Sequence, residues 1–149
     1  MSAQLKGPQL TRVLNLYPPY LGAGVRVREL GPRGYEASMA QRPWNSNYFG
    51  AHFGGSLYSM CDPFFALILM KNLGPGYAAW DKSATIRFRK PGQGRVTARF
   101  EVPEDRISEI RRQVDAHGKS EPVFTTQVLD ERGELVAEVE KHVHVRKAR

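Results

Sequence analysis

The stretch 47-NYFGAHFGGSLYSMCDPFFALILMKNL-73 decides how this chain is read. It opens as a polar, glycine-rich loop with Asn47, Gly50, His52, Gly54 and Gly55. It then runs into an apolar segment in which Asp62 is the only charge between Gly54 and Met70. Strong helix formers dominate the later part. A helix is therefore expected from about Gly54 to Leu73, about 30 Å long at about 1.5 Å per residue. Phe64 to Met70 is apolar without a break, so no face there is free for water, and such a helix is buried or in a membrane. Its fully apolar part is too short to span a bilayer, and Asp62 and Lys71 interrupt its ends. The expectation is the central helix of a soluble protein, covered on several sides. An ionised carboxylate inside such a helix is costly unless paired or hydrogen-bonded. Pro63 adds to the anomaly, because it removes the bond to the Ser59 carbonyl and invites a kink. A kink beside a lone buried acid favours a site over plain packing.

Outward from this helix, Gln9 to Leu16 has roughly helical apolar spacing and ends at Tyr17-Pro18-Pro19, giving a helical lead-in over residues 1–22. Val25 to Leu30 and Tyr35 to Gln41 flank a Gly31-Pro32-Arg33-Gly34 turn and read as a hairpin. On the other side, Leu73-Gly74-Pro75-Gly76 stops the helix. Tyr77 to Lys90 reads as a long strand, with Trp80, Ala84, Ile86 and Phe88 on one face and Asp81, Ser83, Thr85, Arg87 and Arg89 on the other. Arg95 to Val102 alternates as a strand. Pro103 to Gly118 carries Ile107, Ile110 and Val114 at helical spacing. Val123 to Leu129 and Leu135 to Val145 are strands joined by Asp130-Glu131-Arg132-Gly133, and in the last, Leu135, Ala137, Val139, Val143 and Val145 share a face. Strands joined by short turns are antiparallel. The expected class is α+β: one sheet of about six strands curling around one helix, in a single domain over residues 1–149.

The 149 residues suffice for a real core. The net charge of +7 biases ligands toward anions. It is scattered, without a basic run, so no nucleic-acid partner is expected. The single cysteine, Cys61, excludes an internal disulfide and suits a reducing compartment. MSAQLKGPQL has no apolar signal core, so a cytoplasmic protein without membrane attachment is expected.

Several constellations carry chemistry, each beside a plainer alternative. The first N–H groups of a helix lack internal partners and bear partial positive charge. Gly54 and Gly55 would let a carbonyl oxygen approach them as negative charge develops. The alternative is a tight loop entry with nothing bound. Asp62 is a general base or a nucleophile, or else a structural carboxylate hydrogen-bonded to a loop. His52 is a general acid or a loop cap. His142 and His144 share a strand face with Glu138 and Glu140. That reads as a solvated face rather than a metal site, and no metal is expected. Cys61 reads as a small buried hydrophobe.

Asn-x-x-Gly-x-x-x-Gly-Gly, an acid on the following helix, and a strand closing in Phe-x-Lys-Pro-Gly together resemble the hotdog-fold acyl-CoA thioesterases of the phenylacetate-thioesterase type. Here these are Asn47, Gly50, Gly54, Gly55 and Asp62, then Phe88-Arg89-Lys90-Pro91-Gly92. GAHFGGSLYSMCDPF and AWDKSATIRFRKPG are closest to a branch of that family known as a domain of unassigned function. The resemblance implies an antiparallel sheet wrapped around one helix, in a homodimer or tetramer with active sites between subunits. Asp62 would be base or nucleophile, the Gly54-Gly55 backbone would polarise the thioester carbonyl, and Asn47 would position water or substrate. Two departures stand out. Phe53 occupies the place before Gly-Gly where those thioesterases carry histidine, with His52 one earlier. Asp81 stands where a Ser or Thr is usual, and a second carboxylate near Asp62 could share a proton with it. The implied substrate is a small-molecule acyl-CoA, with coenzyme A part of the substrate and no other cofactor. The acyl group would lie near Phe53, Phe64 and Trp80, and the phosphates would meet Arg89 and Lys90. A non-catalytic acyl-CoA or acyl-lipid binding module is the alternative, and an enoyl-CoA hydratase or dehydratase a third reading.

Overall fold

The computed structural model describes residues 7–149; the first six residues of the expected lead-in lie outside the described residues. Two short helices come first, α1 (Gly7–Leu16) and α2 (Pro18–Ala23). The hairpin β1 (Val25–Gly31) and β2 (Gly34–Met39) follows, then α3 (Gly54–Ser59), α4 (Phe64–Leu73) and β3 (Tyr77–Phe88). The remainder is β4 (Val96–Glu101), α5 (Glu104–His117), β5 (Lys119–Ser120), β6 (Val123–Leu129) and β7 (Leu135–Lys147). Among the described residues the strands form one antiparallel sheet in the order β1-β2-β4-β6-β7-β3, with β5 pairing β7. The inner face packs on α4, whose Phe64, Phe65, Ile68 and Leu69 are buried among Tyr35, Phe100 and Val139. Phe64 lies between two aromatic rings, with its centroid 5.5 Å from that of Tyr35 and 4.6 Å from that of Phe100.

Three features depart from the expected pattern. The helix over 54–73 is broken: α3 ends at Ser59, and α4 starts only at Phe64, after a cis Asp62-Pro63 peptide. Pro63 has no N–H to continue the ladder and cannot sit in an unbroken helix. The two prolines at 18–19 do not merely end α1. They open α2, where a missing N–H costs nothing because the first turn leaves it unpaired anyway. Third, β3 carries a bulge: Asp81 pairs Val143 but Ser83 pairs His142, so Lys82 is the extra residue. The alternation therefore changes phase. Ala79 and Asp81 pair with inner-face Val145 and Val143, while Ala84 and Ile86 pair with inner-face Lys141 and Val139. Asp81 thus lies on the same face as Ala84, Ile86 and Phe88, and Trp80 lies on the other.

The two sheet edges differ. The Asn15 side chain occupies the β1 edge, donating to the Val27 carbonyl at 2.9 Å and accepting from its N–H at 2.8 Å. β3, at the far edge, has no further strand beside it among the described residues.

Candidate active site

The helix break is supported from the lead-in. Pro63 has no N–H for the Ser59 carbonyl, which instead takes the Asp62 N–H at 3.2 Å and the Tyr20 hydroxyl of α2 at 2.8 Å. The same hydroxyl lies against the Asp62 carbonyl, so its one proton is shared between the two oxygens. Tyr20 is 3% exposed, and burial, reinforced by the charge of Asp62, pushes its phenol far above the ordinary value. Asp62 itself is not a buried carboxylate as expected. Its side chain is 51% exposed, because the break turns it out of the helix core.

The charge that answers it is Lys141, which the sequence reading passed over. Lys141 sits on the inner face of β7 and its side chain is 1% exposed. Its Nζ lies 2.5 Å from Asp81 Oδ2 and 3.3 Å from Asp62 Oδ1, and 5.3 Å from the centroid of the Tyr58 ring. Burial disfavours the ammonium, but the hydrogen bond to Asp81 and the charge of Asp62 outweigh it, and the Lys141 pKa is raised. Burial is also the main influence on Asp81. The Lys141 hydrogen bond pulls its pKa down, Asp62 pushes it up, and the balance leaves it raised. Asp81 Oδ1 is buried and has no hydrogen-bond partner. The cluster is two carboxylates, one half exposed and one mostly covered, held on a buried ammonium.

A cleft of about 480 Å³ opens elsewhere, along the 47–55 loop and the end of β3. Asn47, Phe49, Gly54, Leu57, Phe88 and Gly92 contribute to its mainly apolar wall. Gly54 sits close to the cleft wall: a Cβ there would fall 3.1 Å from the Phe88 ring, which would have to give way. Among the described residues, neither the Gly54 nor the Gly55 N–H has a hydrogen-bond partner. Asn47 organises its own loop: Oδ1 accepts from the N–H groups of Phe49 at 2.9 Å and Ala51 at 3.1 Å. His52 is 2% exposed, and its Nε2 donates to the Gly94 carbonyl at 2.6 Å while its backbone N–H reaches the Gly92 carbonyl at 2.8 Å. It fastens the loop to the 92–94 turn, and its Nδ1 is buried without a partner.

The expected substrate-contacting residues are dispersed. Phe53 is 58% exposed at the start of α3. Phe64 is sealed in the core. Trp80 lies on the outer face against His144, ring centroids 4.7 Å apart, and under the Arg146 guanidinium. Arg89 and Lys90 border the cleft but are already engaged. Arg89 pairs with Glu138 at 2.6 Å, and Lys90 pairs with Asp130 at 2.6 Å and with Glu134. His142 and His144 bond Glu140 and Glu121. Asp62, Asp81 and Lys141 do not line the cleft. Among the described residues no cluster of His, Cys, Asp or Glu could hold a metal ion, and no helix is long and apolar enough to cross a membrane.

Solved structures similar along nearly the whole chain include a protein of unknown function from Pseudomonas aeruginosa described as a probable thioesterase. It is 23% identical with a TM-score of 0.85, over 96% of this chain and 97% of that one. A Haemophilus influenzae thioesterase is 16% identical with a TM-score of 0.69, over 97% and 93% of the two chains. The Escherichia coli PaaI protein from the phenylacetic acid degradation operon is 20% identical with a TM-score of 0.62, over 87% and 83%. At these identities the likeness is one of fold, and the fold is hotdog: an antiparallel sheet around a central, here broken, helix. No curated protein matches the chain. A family profile described as a domain of unknown function, DUF4442, matches residues 9–145, and the chain belongs to that family.

Proposed function

We propose that the protein is an acyl-CoA thioesterase that works as a homodimer or higher assembly, with Asp62 of one subunit facing the Asn47–Gly55 cleft of another. The observation that carries this is the Asp62 carboxylate. It stands at the helix break, half exposed, with its position set by a buried ammonium. A carboxylate held this way is placed to act rather than to pack. The unpaired N–H groups of Gly54, which lines the apolar cleft, and of Gly55 beside it in the chain support the reading, because such donors suit a developing oxyanion. The uncovered β3 edge supports pairing with a second copy.

In this reading the thioester carbonyl oxygen lies against the Gly54 and Gly55 N–H groups. Water attacks the carbonyl carbon while Asp62 takes its proton. The tetrahedral oxyanion collapses, the C–S bond breaks, and the sulfur leaves as the thiol of coenzyme A once it receives that proton. Attack by Asp62 itself, through a mixed anhydride, is the covalent version of the same assignment. The binding-module reading keeps one observation in its favour: the Asn47 amide oxygen is already saturated by its own loop.

Asp62→Asn decides between them. It keeps the shape but removes the basic oxygen. Single-turnover hydrolysis should fall at least ~10²-fold, the scale of positioned proton transfer, with the melt intact and acyl-CoA binding kept. A lowered melt with normal specific activity of the folded fraction refutes the assignment.

A further inference from the structure

We propose that a second cleft, between the α2–β1 junction and Trp44, holds the phosphorylated nucleotide end of the thioester's carrier, with Arg26, Arg42 and Arg95 on the phosphates and Trp44 against the base. The inference deepens the thioesterase reading and rests on it for the identity of the carrier. The cleft measures about 370 Å³, and these four side chains line it beside Tyr20 and Val25.

Three guanidinium groups on one cleft repel one another unless an anion joins them. Among the described residues, the arginine ion pairs belong to Arg28, Arg89, Arg99 and Arg106, and none belongs to this cleft. Glu131 is the nearby carboxylate. One of its oxygens accepts the backbone N–H of Arg95 at 2.8 Å, and no ion pair joins it to the Arg95 guanidinium. The contrast with the first cleft is direct, since its cations, Arg89 and Lys90, are neutralised by Glu138, Asp130 and Glu134. Guanidinium forks match phosphate oxygens in geometry as well as charge. Trp44 is 69% exposed beside them and offers the flat apolar surface on which a base stacks.

The cleft is held in place by its own anchor. Asn45 is 3% exposed, and its Nδ2 donates to the carbonyls of Ala23 and Ala40, both at 2.8 Å, while Oδ1 accepts the Arg42 N–H at 2.7 Å. Trp44 and Arg42 therefore sit on fixed backbone. Gly24 makes room for this anchor, because it has φ +80° and a Cβ there would fall 3.3 Å from Asn45 Nδ2. One strut separates the two clefts. Gln41 accepts the Gly94 N–H at 2.9 Å and donates to the Gly50 carbonyl at 2.8 Å, while the Gly94 carbonyl takes His52 Nε2. Arg95 follows Gly94 directly, and Asn47 lies three residues beyond Trp44. Through Gln41 and the 94–95 backbone the arginine cleft is tied to the loop that walls the first cleft.

The test uses Trp80→Phe, which leaves Trp44 as the sole tryptophan, and adenosine 3′,5′-bisphosphate as probe. Trp44 emission should change saturably. The affinity should fall at least about tenfold in Arg42→Ala/Arg95→Ala, with Arg42→Lys/Arg95→Lys in between. Added salt should weaken binding. No emission change, an affinity unmoved by the alanines, or pyrophosphate binding as well as the nucleotide would overturn the proposal. In turnover, the preference for an acyl-CoA over the matching acyl-pantetheine thioester should drop by a similar factor in the alanine variant. Nucleotide binding that meets these criteria without any thioester cleavage would sink the thioesterase reading and leave the nucleotide site. Hydrolysis whose CoA preference ignores the arginines would do the reverse.

Discussion

Lys141→Met tests the charge cluster most severely. Methionine keeps the buried stem and removes the ammonium that is 2.5 Å from Asp81. Breaking a buried pair by deleting one partner costs about 3–5 kcal/mol, because the other charge is left uncompensated. Here the loss has a ceiling. Asp81 can take up a proton instead, and from an ordinary pKa of about 3.9 to pH 7 that costs about 3 units at about 1.36 kcal/mol each, or about 4 kcal/mol. The Asp81 side chain is 23% exposed, which brings the expected loss to about 2–4 kcal/mol at pH 7. At pH 5 the same proton costs only about one unit, so the loss should shrink to about 1.5 kcal/mol or less. The sign follows from the direction of the shift. The Asp81 pKa is already raised, mainly by burial, and deleting the lysine removes its chief lowering influence. A carboxyl with a raised folded-state pKa contributes stability below its ordinary value and loses it as pH rises through the folded one. Lys141 is itself raised, so its own contribution persists through neutral pH and is lost only in strong alkali. Urea unfolding of the wild type, Lys141→Met and Lys141→Met/Asp81→Asn at pH 5, 6, 7 and 8 measures this directly. The single variant should weaken with rising pH, and the double variant should recover most of the loss at pH 7. A loss equal at pH 5 and pH 8, or one that Asp81→Asn does not relieve, refutes the electrostatic account and leaves a packing defect.

Two other perturbations address the break. Tyr20→Phe removes the hydroxyl that serves the Ser59 and Asp62 carbonyls, and should cost about 1–2 kcal/mol. In a chain of this size that lowers the melting temperature by roughly 2–8 °C, and a calorimetric scan with no shift would mean that water replaces the hydroxyl freely. Cys61 is buried, and burial above all pushes its thiol up to about 12. The native protein at pH 8 should therefore resist a thiol reagent until urea unfolds it, and full labelling within seconds in native buffer would contradict the burial.

The apolar run after Pro63, the alternating C-terminal strands and the turn composition between them were enough to predict the class and the layering. Some functional geometry was hidden for definite reasons. Lys141 stands at the odd position between Val139 and Val143, on the face that is otherwise apolar. That interruption was a visible signal of a buried cation, but a hydrophobic alternation is easily read through a single charge. The bulge at Lys82 was not legible, because it depends on pairing with β7 and no glycine or proline marks it. It moves Asp81 to the inner face and Trp80 away from it, so the two residues exchanged sides relative to the simple alternation. Pro63 did signal the break and the loss of the i+4 N–H from the Ser59 carbonyl. The partner was invisible, because Tyr20 lies 39 residues upstream and nothing local ties it to the helix. Arg89 and Lys90 matched a motif, but their acids come from β7 and the turn before it, far along the chain.

The strand order has a consequence for the making of the protein. Among the described residues β3 pairs only with β7, and the contacts that join Lys141 to Asp62 and Asp81 span 79 and 60 residues. During synthesis at about 5–20 residues per second, the hairpin and the helices leave the ribosome well before their last partner strand. For that interval β3 lacks its partner strand, and the inner sheet face that packs on α4 is incomplete. The nascent chain is then most open to chaperones and to wrong strand partners, and the charge cluster is among the last parts of the molecule to assemble. A stall or truncation before Lys141 would leave a chain with most of its core residues and both carboxylates of the cluster, but without the ammonium that holds them.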